Sequence, residues 1–201
     1  MFSLEKKIVA ITGGGSGIGR AIAKVFAAQG ANVFILDLNE ASAKETASNI
    51  VSDGGKAKSF PCNVTDQSQV KKVFDGLVKE TGRIDILVNC AGISHIGRLE
   101  NTTEEDFDRI FNVNVKGVYN AMAAVINQMK TQGGGVILNL ASIAGSMGIA
   151  DRFAYSMSKG AILSMTYSVA QDYIKDNIRC NCISPARVHT AFVDGFLKKN
   201  Y

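Results

Sequence analysis

Short runs of apolar residues alternate along the chain with longer segments in which apolar residues recur every three or four positions. The short runs are typical of strands, and the longer spacing is typical of helices with one buried face. Strands are predicted at residues 7–12, 32–37, 57–63, 84–89, 135–142 and 178–185. Helices are predicted at residues 17–30, 39–55, 66–82, 102–132 and 154–176, with Asn39, Asp66 and Thr102 or Thr103 as N-caps.

Each predicted strand is apolar almost throughout, and a helix joins it to the next strand. Strands of this kind are buried on both faces, which is typical of a parallel sheet covered by helices. The predicted fold class is therefore α/β, a doubly wound parallel sheet in a three-layer α/β/α arrangement. No internal repeat or linker interrupts the pattern, so residues 1–201 are predicted to form a single domain.

Polar side chains interrupt the apolar pattern where the predicted strands end. Thr12, Asp37, Asn63, Asn89 and Ser142 each close one of these strands. The ends of parallel strands meet at one edge of the sheet, where ligands bind in folds of this class. The sequence therefore predicts a ligand along this edge.

The segment TGGGSGIGR, residues 12–20, joins the first strand to the first helix. Gly13, Gly17 and Gly19 would allow a tight turn and a close approach of the backbone to a ligand. The N-terminus of the following helix supplies free N–H groups and a positive dipole, which suit a pyrophosphate. A glycine-rich turn that binds nothing is the alternative.

Asp37 ends the second predicted strand, and Leu38 follows it. A carboxylate at this place can accept hydrogen bonds from both ribose hydroxyls of an adenosine. It would repel a 2′-phosphate, and no arginine follows it to bind one. Together with the glycine loop, Asp37 predicts NAD as the cofactor rather than NADP. An aspartate that only caps a turn is the alternative.

Tyr155 and Lys159 are four residues apart in a predicted helix, so their side chains lie on one face, about one turn apart. A tyrosine phenol is a reluctant base at neutral pH because its ordinary pKa is about 10. A lysine ammonium nearby would favour the phenolate. The alternative is an ordinary contact on the surface of a helix.

Composition and charge exclude several classes of protein. The 201 residues are 46% hydrophobic and 20% charged, with a net charge of +4, which is ordinary for a globular chain. The lysines form no basic stripe with aromatic residues, so no nucleic-acid partner is predicted. The first residues do not resemble a secretion signal, and no apolar run is long enough to predict a membrane span.

Four cysteines stand at positions 62, 90, 180 and 182. No histidine lies beside them at the spacing of a metal site, so no metal is predicted. All four are interpreted as buried thiols, and a cytoplasmic location is predicted.

Seven segments, taken in order, resemble the motifs of the short-chain dehydrogenase/reductase family. They are TGGGSGIG at 12–19, NVTD at 63–66, NCAG at 89–92, NVNVKG at 112–117, NLAS at 139–142, YSMSK at 155–159 and SPARVHT at 184–190. The resemblance covers most of the chain and implies a Rossmann-like fold. It also implies an enzyme that moves a hydride between a nicotinamide and a carbonyl or alcohol.

The resemblance implies roles for four residues. Tyr155 corresponds to the general acid and base, and Lys159 to the cation beside it. Ser142 resembles the residue that hydrogen-bonds the substrate oxygen. Asn114 resembles the residue that kinks a helix and holds a water that relays protons to the lysine.

A set of cofactor-binding residues is implied in the same way. They are Gly13, Ser16, Gly17, Ile18, Gly19, Asp37, Leu38, Asn63, Val64, Asn89, Ala91, Gly92, Tyr155, Lys159, Pro185, Val188 and Thr190. Asn63 stands where the family more often has aspartate, and its amide oxygen is expected to accept from the adenine amino group. Cys90 replaces a second asparagine, and Ala186 replaces a common glycine. The Val188 backbone and the Thr190 hydroxyl are expected to hold the nicotinamide carboxamide.

The sequence stops soon after the last predicted strand, whereas the family pattern continues with another helix and a seventh strand. In the family these elements close the substrate pocket and pair subunits. Either this sequence omits those elements, or a natural chain that ends here has an open pocket and an exposed sheet edge.

The substrate pocket is expected between the loops at 93–98, 143–152 and 186–197. The residues expected to bind the substrate are His95, Ser142, Arg152 and Arg187. Arg152 precedes Tyr155 in an R-x-x-Y-S-x-x-K pattern that resembles a cytosolic hydroxybutyrate-dehydrogenase-like branch of the family. In that branch the arginine binds a substrate carboxylate, a role that suits a guanidinium. A small hydroxy or oxo acid, or a sugar acid, is therefore the predicted substrate.

Two other functions stay open. The first is a 3-oxoacyl-thioester reductase acting on an acyl carrier protein, which a strong preference for NADP would favour. The second is a catalytically silent NAD-binding sensor or scaffold. A sensor needs only the glycine loop and Asp37, so the presence of Tyr155, Lys159, Ser142 and Asn114 argues against it.

The predicted helices at 103–130 and 154–175 carry more apolar residues than one face of a sheet can cover. The resemblance implies that such helices pair across a two-fold axis. The chain is therefore expected to form dimers or tetramers.

Overall fold

The structure is a computed structural model and describes residues 3–190. Its strands are Ile8–Thr12 (β1), Asn32–Asp37 (β2), Lys56–Pro61 (β3), Ile86–Asn89 (β4), Gly135–Leu140 (β5) and Ile178–Ile183 (β6). Its α-helices are Gly17–Ala28 (α1), Glu40–Ser52 (α2), Gln67–Thr81 (α3), Glu104–Ile110 (α4), Gly117–Thr131 (α5) and Phe153–Asp172 (α6). A π-helical turn, Phe111–Lys116, joins α4 to α5, and short 3₁₀ turns lie at Leu99–Asn101, Ile143–Gly145 and Ile174–Asp176.

The strands form one six-stranded parallel sheet in the order β3-β2-β1-β4-β5-β6. The chain builds outward from β1 to β3, returns to the middle of the sheet, and builds outward again from β4 to β6. The strand order reverses between β1 and β4, which is where ligands bind in a doubly wound fold. The predicted Rossmann-like α/β class is confirmed.

Different helices cover the two faces of the sheet, which explains why the inner strands β1, β2 and β4 are apolar almost throughout, whereas the edge strands β3 and β6 also carry exposed polar residues. Ala10 of β1 packs in a core with Phe74 of α3 and Met129 of α5. Its neighbour Ile11 faces the other way and packs in a second core with Ile50 of α2. Successive residues of a strand point to opposite faces, so a sheet covered on both sides needs apolar residues at every position.

The predicted helix starts agree with the structure. Asn39, Asp66 and Thr103 each accept a hydrogen bond from the backbone N–H three residues later, at 3.1, 3.0 and 3.1 Å. The predicted helix at 102–132 is the main difference, because the π-helical turn divides it into α4 and α5. The predicted strand at 135–142 ends at Leu140, which leaves Ser142 free to cap the 3₁₀ turn Ile143–Gly145.

Candidate active site

A cavity of about 380 Å³ lies along the carboxyl ends of the strands, at the point where the strand order reverses. Most of the predicted cofactor residues line it: Gly13, Ser16, Gly17, Ile18, Asp37, Leu38, Asn63, Val64, Ala91, Gly92, Tyr155, Lys159, Pro185, Val188 and Thr190. Ser142 lines it too, together with residues that were not predicted, among them Cys62, Cys90, Ile93 and Val113.

Two predicted cofactor residues lie outside the lining of this cavity. Gly19 packs against Gly13, which lines the cavity. A Cβ at position 19 would overlap the carbonyl oxygen of Gly13. Asn89 is buried, and its Nδ2 donates to Oδ1 of Asn139 at 2.8 Å, so its side chain belongs to the core rather than to the cavity. The family resemblance implied a cofactor role for Asn89, and in the structure this residue at the end of β4 bonds to the neighbouring strand β5.

Side chains of α1 and α2 form hydrogen bonds with the backbone of the glycine loop. Gly13 and Gly17 have φ values of +67° and +51°, which other residues rarely adopt. The Gly15 carbonyl accepts from Nε and Nη2 of Arg20, at 3.0 and 2.7 Å, and from the Thr46 hydroxyl at 3.1 Å. Arg20 and Thr46 were not predicted, and their role is to fix the loop at the N-terminus of α1.

Asp37 is held with its carboxylate already oriented. Its Oδ2 accepts from the Gly15 N–H at 2.9 Å, and its Oδ1 accepts from the Asn39 N–H at 2.9 Å. A Cβ on Gly15 would lie 2.9 Å from Oδ2, so no larger residue fits between the glycine loop and the carboxylate. Each carboxylate oxygen keeps a second lone pair for a ligand.

Asn63 makes a different contact from the one predicted. Its Oδ1 accepts from the Thr65 N–H at 3.1 Å and from the Thr65 hydroxyl at 2.9 Å. Its own backbone N–H donates to the Gln69 side chain at 2.6 Å. The oxygen that was expected to bind an adenine amino group is therefore engaged in a turn within the chain. Asn63 still lines the cavity beside Val64.

Helix α6 places Tyr155 and Lys159 on the wall of the cavity, one helical turn apart. The ammonium of Lys159 lies 5.8 Å from the centre of the Tyr155 ring, and it donates to the Leu140 carbonyl oxygen at 2.6 Å. Ser142 stands opposite, at the start of the turn Ile143–Gly145, where its Oγ accepts from the Ala144 N–H at 3.2 Å. A hydroxyl, a phenol and a buried ammonium thus meet in one place.

Burial shifts the pKa values of both ionisable groups toward their neutral forms. It raises the pKa of Tyr155 above its ordinary value of 10.0, while the hydrogen bond with Ser142 and the charge of Arg152 act to lower it. Burial lowers the pKa of Lys159 from 10.5 to about 8, against a smaller opposing effect of Cys90. Shifts of this kind are common where groups exchange protons.

Asn114 connects the loop after β4 to α6. Its Oδ1 accepts from the Ile93 N–H at 2.8 Å, and its Nδ2 donates to the Ile93 carbonyl at 2.9 Å and to Ser158 Oγ at 3.0 Å. It lies within the π-helical turn and is 1% exposed. A π-helical turn is present where the resemblance implied a kink, and the Asn114 side chain is engaged by the protein itself.

The loops expected to bind the substrate are joined to each other beside the cavity. Gly97 and Arg152 form a parallel bridge, in which the Gly97 N–H donates to the Asp151 carbonyl at 3.0 Å and the Phe153 N–H donates to the Gly97 carbonyl at 3.0 Å. Arg98 Nε donates to the Asp151 carboxylate at 2.8 Å. Sequence reasoning missed this connection, because nothing in either loop indicates its partner in the other.

The predicted substrate residues other than Ser142 lie outside the main cavity. Arg152 donates to the Asp151 carbonyl at 2.8 Å and lines a second cavity of about 460 Å³, although its charge still acts on Tyr155. His95 is 10% exposed, and its Nε2 lies 3.4 Å from Asp106 Oδ2. Arg187 is exposed. The part of the loop beyond residue 190 lies outside the described residues.

The family model for short chain dehydrogenases matches residues 7–200. The chain belongs to the short-chain dehydrogenase/reductase family. An uncharacterized oxidoreductase of Thermotoga maritima is 46% identical over 91% of this chain and 72% of its own length. A 3-oxoacyl-(acyl-carrier-protein) reductase of the same organism is 37% identical over 98% of this chain and 80% of its own length. The crystal structure of an NAD⁺-bound xylitol dehydrogenase matches with a TM-score of 0.92 and 35% identity, over 96% of this chain and 74% of that one.

As a member of this family, the protein is an oxidoreductase that acts on CH–OH groups. Within residues 3–190, no three His, Cys, Asp or Glu side chains are grouped so as to hold a metal ion. In the same part of the chain, no helix has the length and apolar character needed to cross a membrane.

Proposed function

We propose that this short-chain dehydrogenase is an NAD(H)-dependent enzyme that interconverts a secondary alcohol and a carbonyl. The observation that carries the proposal is that one cavity is lined both by the glycine loop and Asp37 and by Ser142, Tyr155 and Lys159. A dinucleotide suits both groups of residues, because it joins a pyrophosphate and an adenosine to a nicotinamide.

The residues present fit that cofactor. The pyrophosphate would lie at the N-terminus of α1, where glycines let the loop pack closely on the protein backbone: a Cβ on Gly13 would lie 2.7 Å from the Ala91 backbone, and one on Gly19 would lie 2.1 Å from the Gly13 carbonyl oxygen. Asp37 would accept from the ribose hydroxyls of the adenosine. Pro185, Val188 and Thr190 line the same cavity, and the Val188 backbone and the Thr190 hydroxyl would hold the carboxamide of the nicotinamide. When bound, the nicotinamide supplies the acceptor or donor of the hydride.

The protein's own residues then control the proton. In the oxidation direction Tyr155 as phenolate would take the proton from the substrate hydroxyl, and in reduction the phenol would return it to the carbonyl oxygen. Ser142 would donate a hydrogen bond to the same substrate oxygen. Lys159, buried beside the phenol, would stabilise the phenolate through its charge.

The cofactor preference is expected to depend on Asp37. In the unchanged protein NADH should bind much more tightly than NADPH, because a 2′-phosphate would face a fixed carboxylate. In Asp37→Ala the affinity for NADH should fall about ten- to a hundredfold, the range for loss of a hydrogen bond to a charged group. The ratio of the NADPH and NADH dissociation constants should therefore become smaller in this variant. Dissociation constants measured by NADH and NADPH fluorescence test this.

The exposed Asp53, in Asp53→Ala, provides the control for loss of a negative charge that is away from the cavity. Equal affinities of the unchanged protein for NADH and NADPH would contradict the assignment of Asp37.

For the substrate we propose a small hydroxy or oxo acid, or a sugar acid. The charge of Arg152 acts on the Tyr155 phenol, so a cation stands near the reacting oxygen. A guanidinium suits a carboxylate. The runner-up is a 3-oxoacyl-thioester reductase, which the relative of that kind in Thermotoga maritima supports. A panel of hydroxy acids, polyols and 3-oxoacyl thioesters, followed by the absorbance of NADH, separates the two substrate classes.

Arg152→Met is expected to raise KM for a carboxylate substrate about ten- to a hundredfold, and to change KM much less for its uncharged ester. The exposed Arg179 on β6, replaced in Arg179→Met, controls for the loss of one positive charge. Equal effects of Arg152→Met on acid and ester would remove the support for an acidic substrate. A polyol or an oxoacyl substrate would then be favoured.

For the assembly and location we propose a cytoplasmic dimer or tetramer. Phe111, Tyr119 of α5 and Tyr167 of α6 are 41%, 51% and 64% exposed, and they lie on or beside the helices that the resemblance implies pair across a two-fold axis. All four cysteines are free, as is usual in a reducing compartment. Light scattering measures the assembly, and a monodisperse monomer would contradict this proposal.

A further inference from the structure

The 3₁₀ turn Ile143–Gly145 rests directly on the backbone of α6. A Cβ on Gly145 would lie 2.6 Å from the Lys159 carbonyl carbon, 2.7 Å from its oxygen and 2.9 Å from the Gly160 nitrogen. These atoms belong to the helix backbone and cannot swing aside. Gly145 has no positive φ, so glycine is needed here for space and not for conformation.

The contact stands between the two halves of the proposed catalytic site. Ser142 begins the turn, and Lys159 belongs to the helix on which the turn rests. The end of β5 is tied to the same helix a second time, because Lys159 donates to the Leu140 carbonyl at 2.6 Å. The segment that carries Ser142 is therefore attached to α6 on both sides, at Leu140 and at Gly145.

We propose that Gly145 is a positioning residue that sets the separation between the Ser142 hydroxyl and the Tyr155 phenol. Gly145 contacts neither substrate nor cofactor. It acts by allowing the backbone of the turn to lie close to the backbone of α6. The proposal rests on the proposed function, since it assigns a part of the same reaction. Any side chain at position 145 forces the turn away from the helix, because the shortest ordinary contact of a Cβ is about 3.4 Å.

Gly145→Ala is the test, with Gly160→Ala and Gly76→Ala as matched controls. A Cβ on Gly160 would meet only the Gly145 carbonyl oxygen, at 3.4 Å, and a Cβ on Gly76 in α3 would meet nothing within 4 Å. In Gly145→Ala we expect kcat to fall about a hundredfold, the effect of a displacement near 1 Å in a catalytic site. The Kd of NADH should change far less, and both controls should keep their activity.

The pH profile distinguishes positioning from general loss of structure. The hydrogen bond with Ser142 lowers the pKa of Tyr155, so weakening it should move the acid limb of alcohol oxidation to higher pH. A loss of folded protein alone would lower the rate and leave that limb in place, and such a result would overturn the proposal.

A double-mutant cycle with Ser142→Ala tests the route of the effect. If Gly145 acts through Ser142, adding Gly145→Ala to Ser142→Ala should cost little further activity, whereas an additive loss would overturn the proposal. Should Gly145→Ala fail to fold, Gly160→Val presses on the Gly145 carbonyl from the helix side and should shift the same limb. An unshifted profile in that variant would also overturn it.

The unchanged protein separates this proposal from the one on which it rests. If it neither oxidises nor reduces any substrate of the panel, the proposed function fails. If it is active and Gly145→Ala equals it in kcat and pH profile, only the positioning role fails.

Discussion

Tyr155→Phe is expected to reduce turnover by about a thousandfold or more while leaving the affinity for NADH nearly unchanged. The substitution keeps the ring that lies beside the Lys159 ammonium and removes only the oxygen that we propose exchanges the proton. General acid–base catalysis contributes about 10²- to 10⁴-fold to rates. Steady-state kinetics give kcat, and the fluorescence of bound NADH gives the dissociation constant.

Tyr173→Phe is the control, because Tyr173 directly follows the same helix at its other end and does not line the cavity. It should behave like the unchanged protein. Turnover retained in Tyr155→Phe would mean that another group handles the proton, and the chemical assignment of the cavity would have to be abandoned.

Lys159→Met is expected to remove most of the activity and to make the protein more stable at neutral pH. Burial lowers the pKa of Lys159 from 10.5 to about 8, so folding disfavours its charged form. Below pH 8 that cost is present in full. Between about pH 8 and 10.5 the unfolded chain holds the proton and the native protein does not, so this residue makes stability rise with pH across that window.

The pKa shift corresponds to about 3 kcal/mol, and loss of the hydrogen bond to Leu140 offsets about 1 to 1.5 kcal/mol of it. The variant should therefore gain about 1 to 2 kcal/mol in free energy of unfolding at pH 7 and less at pH 10. Urea unfolding at both pH values measures this. Lys24→Met, at an exposed position on α1, is the control.

The same variant should bind NADH more weakly, because the ammonium is expected to reach the ribose of the nicotinamide. A Lys159→Met protein that is less stable than the unchanged one at pH 7 would show that the buried charge is a net stabilising group. In that case the burial of Lys159 would not lower the free energy of unfolding.

The sheet and its ligand edge could be predicted because both depend on local patterns. Ala10 and Ile11 face different cores, so consecutive residues of this strand must both be apolar. Gly13 and Asp37 follow the first and second strands, and parallel strands bring such positions together in any fold of this kind. The lining of the cavity by both residues thus follows from spacing alone.

The orientation of individual side chains could not be predicted, because each side chain has several polar partners within reach, some near and some far away in the sequence. Asn89 turns inward to Asn139, 50 residues later, and Asn63 turns to Thr65 instead of remaining available to a base. Arg152 is drawn into the bridge with Gly97, so it lies beside the cavity and not in its lining. The spacing of residues in the sequence does not distinguish these contacts from the predicted ones, since each side chain has more than one polar group within reach.

The division of the long predicted helix has a similar origin. The segment around Asn114 has apolar residues at helical spacing, and its sequence alone suits a continuous helix. In the structure the Asn114 side chain bonds to both backbone groups of Ile93 and to Ser158. These contacts favour the wider π-helical turn, which brings the side chain to the loop after β4.

The most direct test of the central claim follows the hydride itself. An alcohol from the substrate panel, deuterated at its carbinol carbon, is incubated with the protein and NAD⁺, and the NADH produced is analysed by mass spectrometry and NMR. The cavity assigned here predicts that the deuterium appears at C4 of the nicotinamide with the unchanged protein and is not transferred by Tyr155→Phe. NAD⁺ that binds at the cavity while no alcohol of the panel transfers deuterium would contradict the assignment and identify the chain as a binding protein.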